Sequence, residues 1–149
     1  MNITGAELII RFLESRSSGG DSADVLFFDF RNGLADASRI LGPAQTQRRA
    51  VVCIAVQVHR SLIGTETHQP AATRHVLDAM TKSWFHIGAA MELLELLPEA
   101  FRLAQSTERG PVLLEIPEDV LAEVIEGAWI PQVRPHIRIS HSTMSPIYV

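Results

Sequence analysis

The sequence is short of three features, and each shortage excludes a class of protein. Cys53 is the only cysteine, so no internal disulfide can form, and its apolar neighbours are typical of a buried core residue. No apolar run approaches the ~20 residues that a membrane-spanning helix needs. The net charge of -4 at pH 7 is mild, which argues against nucleic acid or an anionic membrane surface as the main partner.

The rest of the composition indicates one folded domain in a reducing compartment. Of the 149 residues, 46% are hydrophobic and 20% are charged, which is enough apolar material for a packed core. The first residues, MNITGAELIIRFLES, lack the basic flank of a secretory signal peptide. Together with the single cysteine, this predicts a cytoplasmic protein.

The six histidines do not show the spacing of a metal site. His59, His68, His75 and His86 are separated by nine, seven and eleven residues, whereas zinc ligands usually lie closer together in sequence. We therefore expect histidines of the surface or of loops, and no metal site.

The stretch from Val51 to Gln69 is the most informative part of the chain. It opens with six apolar residues without polar alternation, which is typical of a strand buried on both faces. It then turns polar, through residues that include His59, Arg60 and Gly64. Because ligands of open parallel sheets bind beyond the carboxyl ends of the strands, this loop is the first candidate for a binding site.

Short apolar strands alternate with helical patterns along the chain, which predicts an α/β fold. We expect a small, mostly parallel sheet of about four strands with helices on both faces. The predicted strands are 25–30, 51–56, 82–87 and 112–116, and the predicted helices are 3–14, 34–41, 70–80 and 89–105.

Four local details of these helices can be checked against a structure. Thr4 and Glu7 have the spacing of a capping box at the start of the first helix. Gly42-Pro43 is expected to end the second helix, with a polar loop at 44–49. Val76 is expected to point inward with Leu77 and Met80. Pro98 predicts a kink or two helical pieces, in a helix whose apolar stripe runs through Met91, Leu94, Leu97, Phe101 and Leu103 or Ala104.

The predicted domain covers residues 1–128. Residues 129–149 contain three prolines and little periodicity, which indicates an extended C-terminal tail.

Several segments resemble one known family. The opening MNITGAELIIRFLE is similar to its first helix, and GLADA at 33–37 fits a short helix that precedes its loop strand. QVHRSLIGTETHQ resembles its QVPxxxIGTDAFQE loop. TKSWF and LLPEAFRLAQSTERGPVLLEIPEDV resemble its TKHxxLV and LPxxxxEAFxIAxSGRPGPVxIDIPKDV. The family is the N-terminal pyrimidine-binding domain of thiamine-diphosphate enzymes, of the acetolactate synthase large-subunit type.

The resemblance implies a three-layer, flavodoxin-like sandwich and a function in branched-chain amino acid biosynthesis, by carboligation of 2-keto acids. In that family, thiamine diphosphate lies at a dimer interface. One subunit holds its pyrimidine, and a separate domain of the partner subunit holds the diphosphate and magnesium, while FAD binds mainly to a middle domain. The resemblance thus implies a homodimer or higher oligomer, or a companion chain that carries the diphosphate-binding domain.

The resemblance also assigns residues. Asn32 and Gln69 match cofactor-binding positions of the family, and His59, Gly64, His68 and Lys82 match positions that border its substrate channel.

Three motifs of the family are missing, which implies an internal deletion. They are a glycine-rich GIPGG turn, the activating glutamate in RHEQGA, and a SGPGxTN turn, and a GDG-type magnesium motif is absent as well. Because no acid before the loop strand is followed by Gln-Gly, we expect no catalytic residue for carboligation and no activity in the isolated chain. Loss of a strand would also leave apolar faces uncovered, which favours association with a second copy or a partner.

Sequence alone leaves three functions open. The chain is an abridged pyrimidine-binding domain or one part of a split enzyme, or a non-enzymatic α/β interaction module. The third alternative is an independent small-molecule enzyme that uses the loop 59–69, for which the sequence shows no complete catalytic set.

Overall fold

A computed structural model describes residues 2–16, 23–31, 33–65 and 71–127. The predicted α/β fold is confirmed. In chain order the elements are β1 (Ile3–Thr4), α1 (Gly5–Arg16), β2 (Asp24–Asp29), α2 (Leu34–Thr46), β3 (Val51–Gln57), α3 (Ala71–Met80), β4 (Ser83–His86), α4 (Leu93–Gln105), β5 (Pro111–Pro117), α5 (Glu118–Ala122) and β6 (Val124–Ile125). Short 3-10 helices lie at Arg60–Leu62 and Ala90–Glu92.

Four of the strands form one parallel sheet in the order β2-β3-β5-β4. The two central strands are buried along almost their whole length, which explains why their sequences are apolar without alternation. Parallel pairing places the carboxyl ends of all four strands at one edge of the sheet, which we call the carboxyl edge.

Helices cover both faces of this sheet. Val52, Ile54 and Leu114 point to one core, which they share with α1, α4 and α5. Cys53, Ala55 and Leu113 point to the other core, which they share with α2 and α3. The period of two in the strands therefore divides the core into two layers.

The predicted start of the first helix is confirmed. The Thr4 main-chain N–H donates to Glu7 Oε2 at 2.8 Å, and the Glu7 N–H donates to Thr4 Oγ1 at 3.2 Å. These reciprocal bonds satisfy donors that the first turn leaves without a helical partner. The bond from the Thr4 main chain, followed by the bond from its hydroxyl, lowers the pKa of the Glu7 carboxyl group.

A small antiparallel pair, β1 with β6, is not predicted by the sequence. Ile3 pairs with Ile125 and Thr4 with Val124, and the Gly5 N–H donates to the Glu123 carbonyl at 3.0 Å. A side chain at Gly5 would lie 2.7 Å from the Val120 carbonyl oxygen, so only glycine permits this close approach.

Helix α2 corrects the expectation that Gly42-Pro43 ends it at residue 41. The helix continues through Pro43 to Thr46. Ala37, Leu41 and Ala44 are fully buried on one side of it. Burial of Ala44 favours the extra turn, although the proline removes one backbone hydrogen bond.

Helix α4 is continuous from Leu93 to Gln105, with Pro98 inside it, so it is not divided into two pieces at the proline. Its buried side chains are Leu93, Leu97, Ala100, Phe101 and Ala104. The predicted stripe is therefore correct at Leu97, Phe101 and Ala104. It is wrong at Leu94, which is 37% exposed, and at Met91, which is 57% exposed and lies in the 3-10 helix before α4.

Helix α3 confirms the inward position of Leu77 and contradicts that of Val76. Leu77 is fully buried, whereas 43% of Val76 is exposed. The predicted tail at 129–149 lies outside the described residues. None of the helices in the described ranges is long and apolar enough to span a membrane.

Candidate functional site

Polar side chains gather at the carboxyl edge, on the face that carries α2 and α3. The strand register sets Phe28, Ala55, Glu115 and His86 side by side across the four strands. Trp84 precedes His86 by two residues and so lies on the same face. We call Gln57, Trp84, His86 and Glu115 the Glu115 cluster.

The carboxylate of Glu115 accepts two hydrogen bonds within this cluster and lies close to a ring nitrogen of the third residue, His86. Its Oε1 accepts from Gln57 Nε2 at 3.1 Å, and its Oε2 accepts from Trp84 Nε1 at 3.0 Å. His86 Nδ1 lies 2.8 Å from the same Oε2. The Gln57 Oε1 in turn accepts from the Val58 N–H at 2.8 Å. Both polar atoms of the Gln57 side-chain amide are therefore hydrogen-bonded.

Burial makes these bonds necessary. Only 6% of the Glu115 side chain and 1% of Gln57 are exposed. An isolated carboxylate buried to this extent would cost several kcal/mol, whereas hydrogen bonds to the charged form offset that cost. Each oxygen of Glu115 therefore accepts one hydrogen bond, and His86 Nδ1 lies beside Oε2.

A row of rings extends from this cluster over the face of the sheet. The Phe28 and Phe30 centroids are 6.4 Å apart, those of Phe30 and Trp84 are 6.2 Å apart, and those of Trp84 and His86 are 5.1 Å apart. The row bridges the two outer strands, β2 and β4. Trp84 packs against the core beneath α2 and α3, while 52% of the His86 side chain is exposed.

A second group of charged residues fixes the loop that follows β3. The Arg60 N–H donates to Asp119 Oδ1 at 2.9 Å, its Nε donates to Oδ2 at 2.5 Å, and a further guanidinium nitrogen donates to the Gly88 carbonyl at 2.7 Å. The guanidinium also bonds Glu123. This arginine therefore joins the loop after β3 to the ends of β4 and β5.

These contacts shift two ionisation equilibria. The hydrogen bond to the Asp119 carboxylate, assisted by Glu123, raises the pKa of Arg60. Burial favours a higher pKa for Asp119, but the bonds from the Arg60 main chain and guanidinium outweigh burial and lower that pKa. Both groups therefore stay charged over a wide pH range.

Two of the residues predicted to border a channel belong to this loop. His59 Nδ1 accepts from the Ser61 N–H at 3.2 Å, and His59 Nε2 lies 3.9 Å from Asp119 Oδ2. Gly64 has a φ of 87°, a conformation that favours glycine.

Lys82 lies at the opposite edge of the sheet. It precedes β4, and its ammonium group donates to the Leu103 carbonyl at 2.8 Å, the Thr107 carbonyl at 3.0 Å and the Ser106 hydroxyl at 2.7 Å. A cation in this position stabilises the end of α4. The structure of one chain therefore does not bring Lys82 together with His59 and Gly64. Asn32, His68 and Gln69 lie outside the described residues, so the cofactor-binding positions stay predictions.

Sequence analysis missed the Glu115 cluster, although the signal is present. VLLEIP places one glutamate inside an otherwise apolar strand, and Gln57 ends a strand that is apolar up to that point. A buried strand tolerates an acid only where donors surround it. The sequence did not show which donors these are, because their approach depends on the register of β4 against β5.

Within the described residues, no group of three or more His, Cys, Asp or Glu side chains is arranged to hold a metal ion. Magnesium bound to a diphosphate needs oxygen ligands from the protein. The described residues therefore do not fit the magnesium-diphosphate half of thiamine diphosphate.

The comparisons relate most of this chain to one kind of enzyme. An acetolactate synthase of Mycobacterium leprae is 39% identical over 93 residues, which are 62% of this chain and 15% of that protein. The large subunit of acetolactate synthase isozyme 1 from Escherichia coli is 33% identical over 94 residues, or 63% of this chain and 17% of its own length. An acetolactate synthase large subunit from Corynebacterium glutamicum is 35% identical over 83 residues, which are 56% of this chain and 13% of that protein. No protein-family model matches the sequence.

The chain is thus homologous to acetolactate synthases over roughly 60% of its length. It spans less than a fifth of these relatives.

Proposed function

We propose that the chain is an abridged pyrimidine-binding domain of the acetolactate synthase type, with an internal deletion, and that it does not catalyse carboligation alone. The observation that carries this proposal is the 39% identity over 93 residues to an acetolactate synthase. The parallel sheet supports it, because the loop QVHRSLIGT, which resembles the family's channel loop, is anchored at the carboxyl edge by Arg60.

The cofactor of the complete assembly would be thiamine diphosphate. This chain would contribute to its pyrimidine pocket through Asn32 and Gln69, with His59, Gly64, His68 and Lys82 bordering a channel shared with a second chain. Since the described residues do not fit a magnesium diphosphate, the sites for the diphosphate, for magnesium and for FAD would come from a companion chain. The proposed domain is residues 1–128, followed by the tail at 129–149.

The described carboxylates support the inactivity of the isolated chain. Glu115 is the buried acid at the carboxyl edge, and its two oxygens accept hydrogen bonds from Gln57 and Trp84. Because only 6% of its side chain is exposed, this carboxylate offers little surface to a ring nitrogen of a cofactor.

An assay with matched controls tests this proposal. The full chain is incubated with pyruvate, thiamine diphosphate, magnesium and FAD, beside a complete acetolactate synthase large subunit, and acetolactate is measured. We expect product from the complete enzyme and none from this chain. Acetolactate formed by the chain alone would overturn the proposed inactivity.

Calorimetry then tests the relation to the cofactor. Thiamine diphosphate with magnesium is titrated into the chain, and into the chain mixed with an acetolactate synthase truncated to its diphosphate-binding domain. Binding that requires the mixture supports a split site. The complete enzyme, which should bind the cofactor, is the control. If neither titration of this chain shows binding, the cofactor assignment is contradicted and the interaction module is the remaining function.

Exposed apolar side chains favour that second function, a non-enzymatic interaction module. Met91 and Val124 are 57% and 59% exposed, and Ile10 is 51% exposed. Such residues occur at contact surfaces when they form patches. We expect a dimer or higher oligomer, and a monodisperse monomer in sedimentation at micromolar concentration would contradict this.

A further inference from the structure

We propose that β2 pairs edge to edge with the β2 of a second copy of this chain, so that the two parallel sheets join into one continuous sheet. The two β2 strands run antiparallel across a two-fold axis perpendicular to the sheet. This inference rests on the oligomer expected under the proposed function, and it assigns the surface through which that oligomer forms.

Strand β2 is an outer strand that lacks the usual protection of a sheet edge. It runs from Asp24 to Asp29, and among the residues that the structure describes it pairs only with β3. Its register with β3 advances one residue at a time, so it contains no bulge, and its sequence has no lysine or proline. Bulges, lysine, proline and very short strands are the features that keep natural sheet edges from pairing.

The backbone groups of β2 alternate between β3 and the outer edge. The N–H groups of Asp24 and Phe30 donate towards β3, at 3.0 and 2.9 Å. The backbone groups of every second residue in a strand point to the same neighbour. Leu26 therefore also points its N–H to β3, while Val25 and Phe27 point theirs to the outer edge.

One symmetric register matches these outer groups to each other. The Asp29 carbonyl, which also points outward, already accepts from the Gly33 N–H at 2.7 Å. When Val25 lies opposite the partner's Phe27, both residues exchange their N–H and C=O bonds with each other. Leu26 then lies on the two-fold axis. The alternative register, centred on Phe27, would require the occupied carbonyl of Asp29.

The same register also matches the two faces of the sheet. Val25 and Phe27 contact the core shared with α1, α4 and α5, whereas Leu26 belongs to the core shared with α2 and α3. A two-fold axis perpendicular to the sheet keeps each face on its own side. Val25 therefore meets the partner's Phe27 within one layer, and a β-branched residue beside an aromatic one is a favourable cross-strand pair.

The charges favour a second copy as the partner. The two acids of β2 are balanced within their own chain, since Asp24 Oδ2 lies 2.6 Å from Arg49 and Asp29 Oδ1 lies 4.0 Å from Arg31. In the register given above, Asp24 lies opposite the partner's Phe28, so no acid faces another acid across the new pair. The edge is therefore complementary to itself in charge as well as in hydrogen bonding.

Cysteine cross-linking tests this register. Val25→Cys and Phe27→Cys are made in separate full chains, the two are mixed and oxidised mildly, and the disulfide-linked dimer is measured. We expect about five times more dimer from the mixture than from either variant alone, because directly opposite Cα atoms lie ~5.5 Å apart, within reach of a disulfide. Two cysteines at the same position are diagonal neighbours, ~7–8 Å apart.

The background comes from Met91→Cys, at a position that is 57% exposed and lies outside β2. The buried Cys53 is common to all these chains. A yield from the mixture no greater than that of the single variants or of Met91→Cys would overturn the proposed pairing. Sedimentation then separates two failures: a dimer would leave the expected oligomer standing, and a monomer would contradict both.

Hydrogen exchange of the unaltered chain keeps the test decisive if a cysteine variant fails to fold. It is followed by NMR at concentrations on either side of the dissociation midpoint that sedimentation gives. The amides of Val25 and Phe27 should exchange about tenfold more slowly at the higher concentration. The Leu26 amide, which points to β3, should exchange equally at both. Exchange of Val25 and Phe27 that does not depend on concentration, whether slow or fast, would refute the pairing.

Discussion

Arg60 and Asp119, separated by 59 positions in the sequence, join the loop after β3 to the first turn of α5 through main-chain and side-chain bonds. The side chain of Asp119 is only 15% exposed, while that of Arg60 is 42% exposed. The carboxylate is therefore the fixed partner, and the arginine brings the loop to it.

Removal of the arginine should loosen this loop without unfolding the protein. In Arg60→Ala, amide hydrogen exchange between residues 59 and 63 should accelerate about tenfold. The loop loses the guanidinium bonds to Asp119, Gly88 and Glu123 and keeps only the main-chain bond to Asp119. Hydrogen exchange followed by mass spectrometry measures this. The control is Arg102→Ala, which removes the pair with Glu99 on α4 and should leave exchange in the loop unchanged.

Stability at low pH should also depend on the Arg60–Asp119 pair. Because the folded-state pKa of Asp119 is lowered, its contribution to stability is complete above the unfolded value of ~3.9 and is lost as the pH falls through the folded value. Thermal unfolding followed between about pH 5 and pH 2 should therefore show a steeper loss of stability in the unaltered chain than in Asp119→Asn. Asp78→Asn, at an exposed position on α3, should keep the original slope. Equal slopes for the unaltered chain and Asp119→Asn would contradict the argument.

Two leucines of α4 provide a matched test of the core. Leu97 is 1% exposed and Leu94 is 37% exposed. Leu97→Ala should lower the free energy of unfolding by about 2–5 kcal/mol, because it removes buried methyl groups and leaves a cavity. Leu94→Ala should lower it by less than about 1 kcal/mol. Urea unfolding measures both, and similar losses would show that the assigned faces of the helix are wrong.

The capping box predicts a smaller effect. Thr4→Ala should lower the free energy of unfolding by about 1 kcal/mol, because Glu7 N–H loses its acceptor at the start of α1. Thr4→Ser keeps the hydroxyl oxygen and should restore most of that loss. Denaturant titration compares the three proteins, and a Ser variant no better than Ala would exclude the cap as the cause.

These cases also show what the sequence determines by itself. The Thr4–Glu7 cap is local, since both partners lie within one turn, and it was predicted correctly. The buried runs 51–56 and 112–116 were also recognised as strands, because a central parallel strand needs apolar side chains on both faces.

The incorrect predictions concern features that depend on packing between residues far apart in the sequence. Leucines at 93, 94, 96 and 97 offer apolar material to more than one face of α4, so only the sheet determines that Leu93 and Leu97 are buried. Pro43 looked like a helix end, but Ala44 completes the face of α2 that packs on the sheet.

The Glu115 cluster was missed for a related reason. The donors of its hydrogen bonds come from positions 57 and 84, which only the order β3-β5-β4 brings to one carboxylate. A glutamate inside an apolar run signals that partners exist but does not identify them.

The pairing of Ile3 with Ile125 has a practical consequence for protein engineering. Paired strands lie about 5 Å apart, so a short linker would connect residue 3 to residue 125 without stretching the fold. A circularly permuted gene that opens the chain instead at the turn around Arg48, where φ is 53°, would keep every strand of the sheet intact.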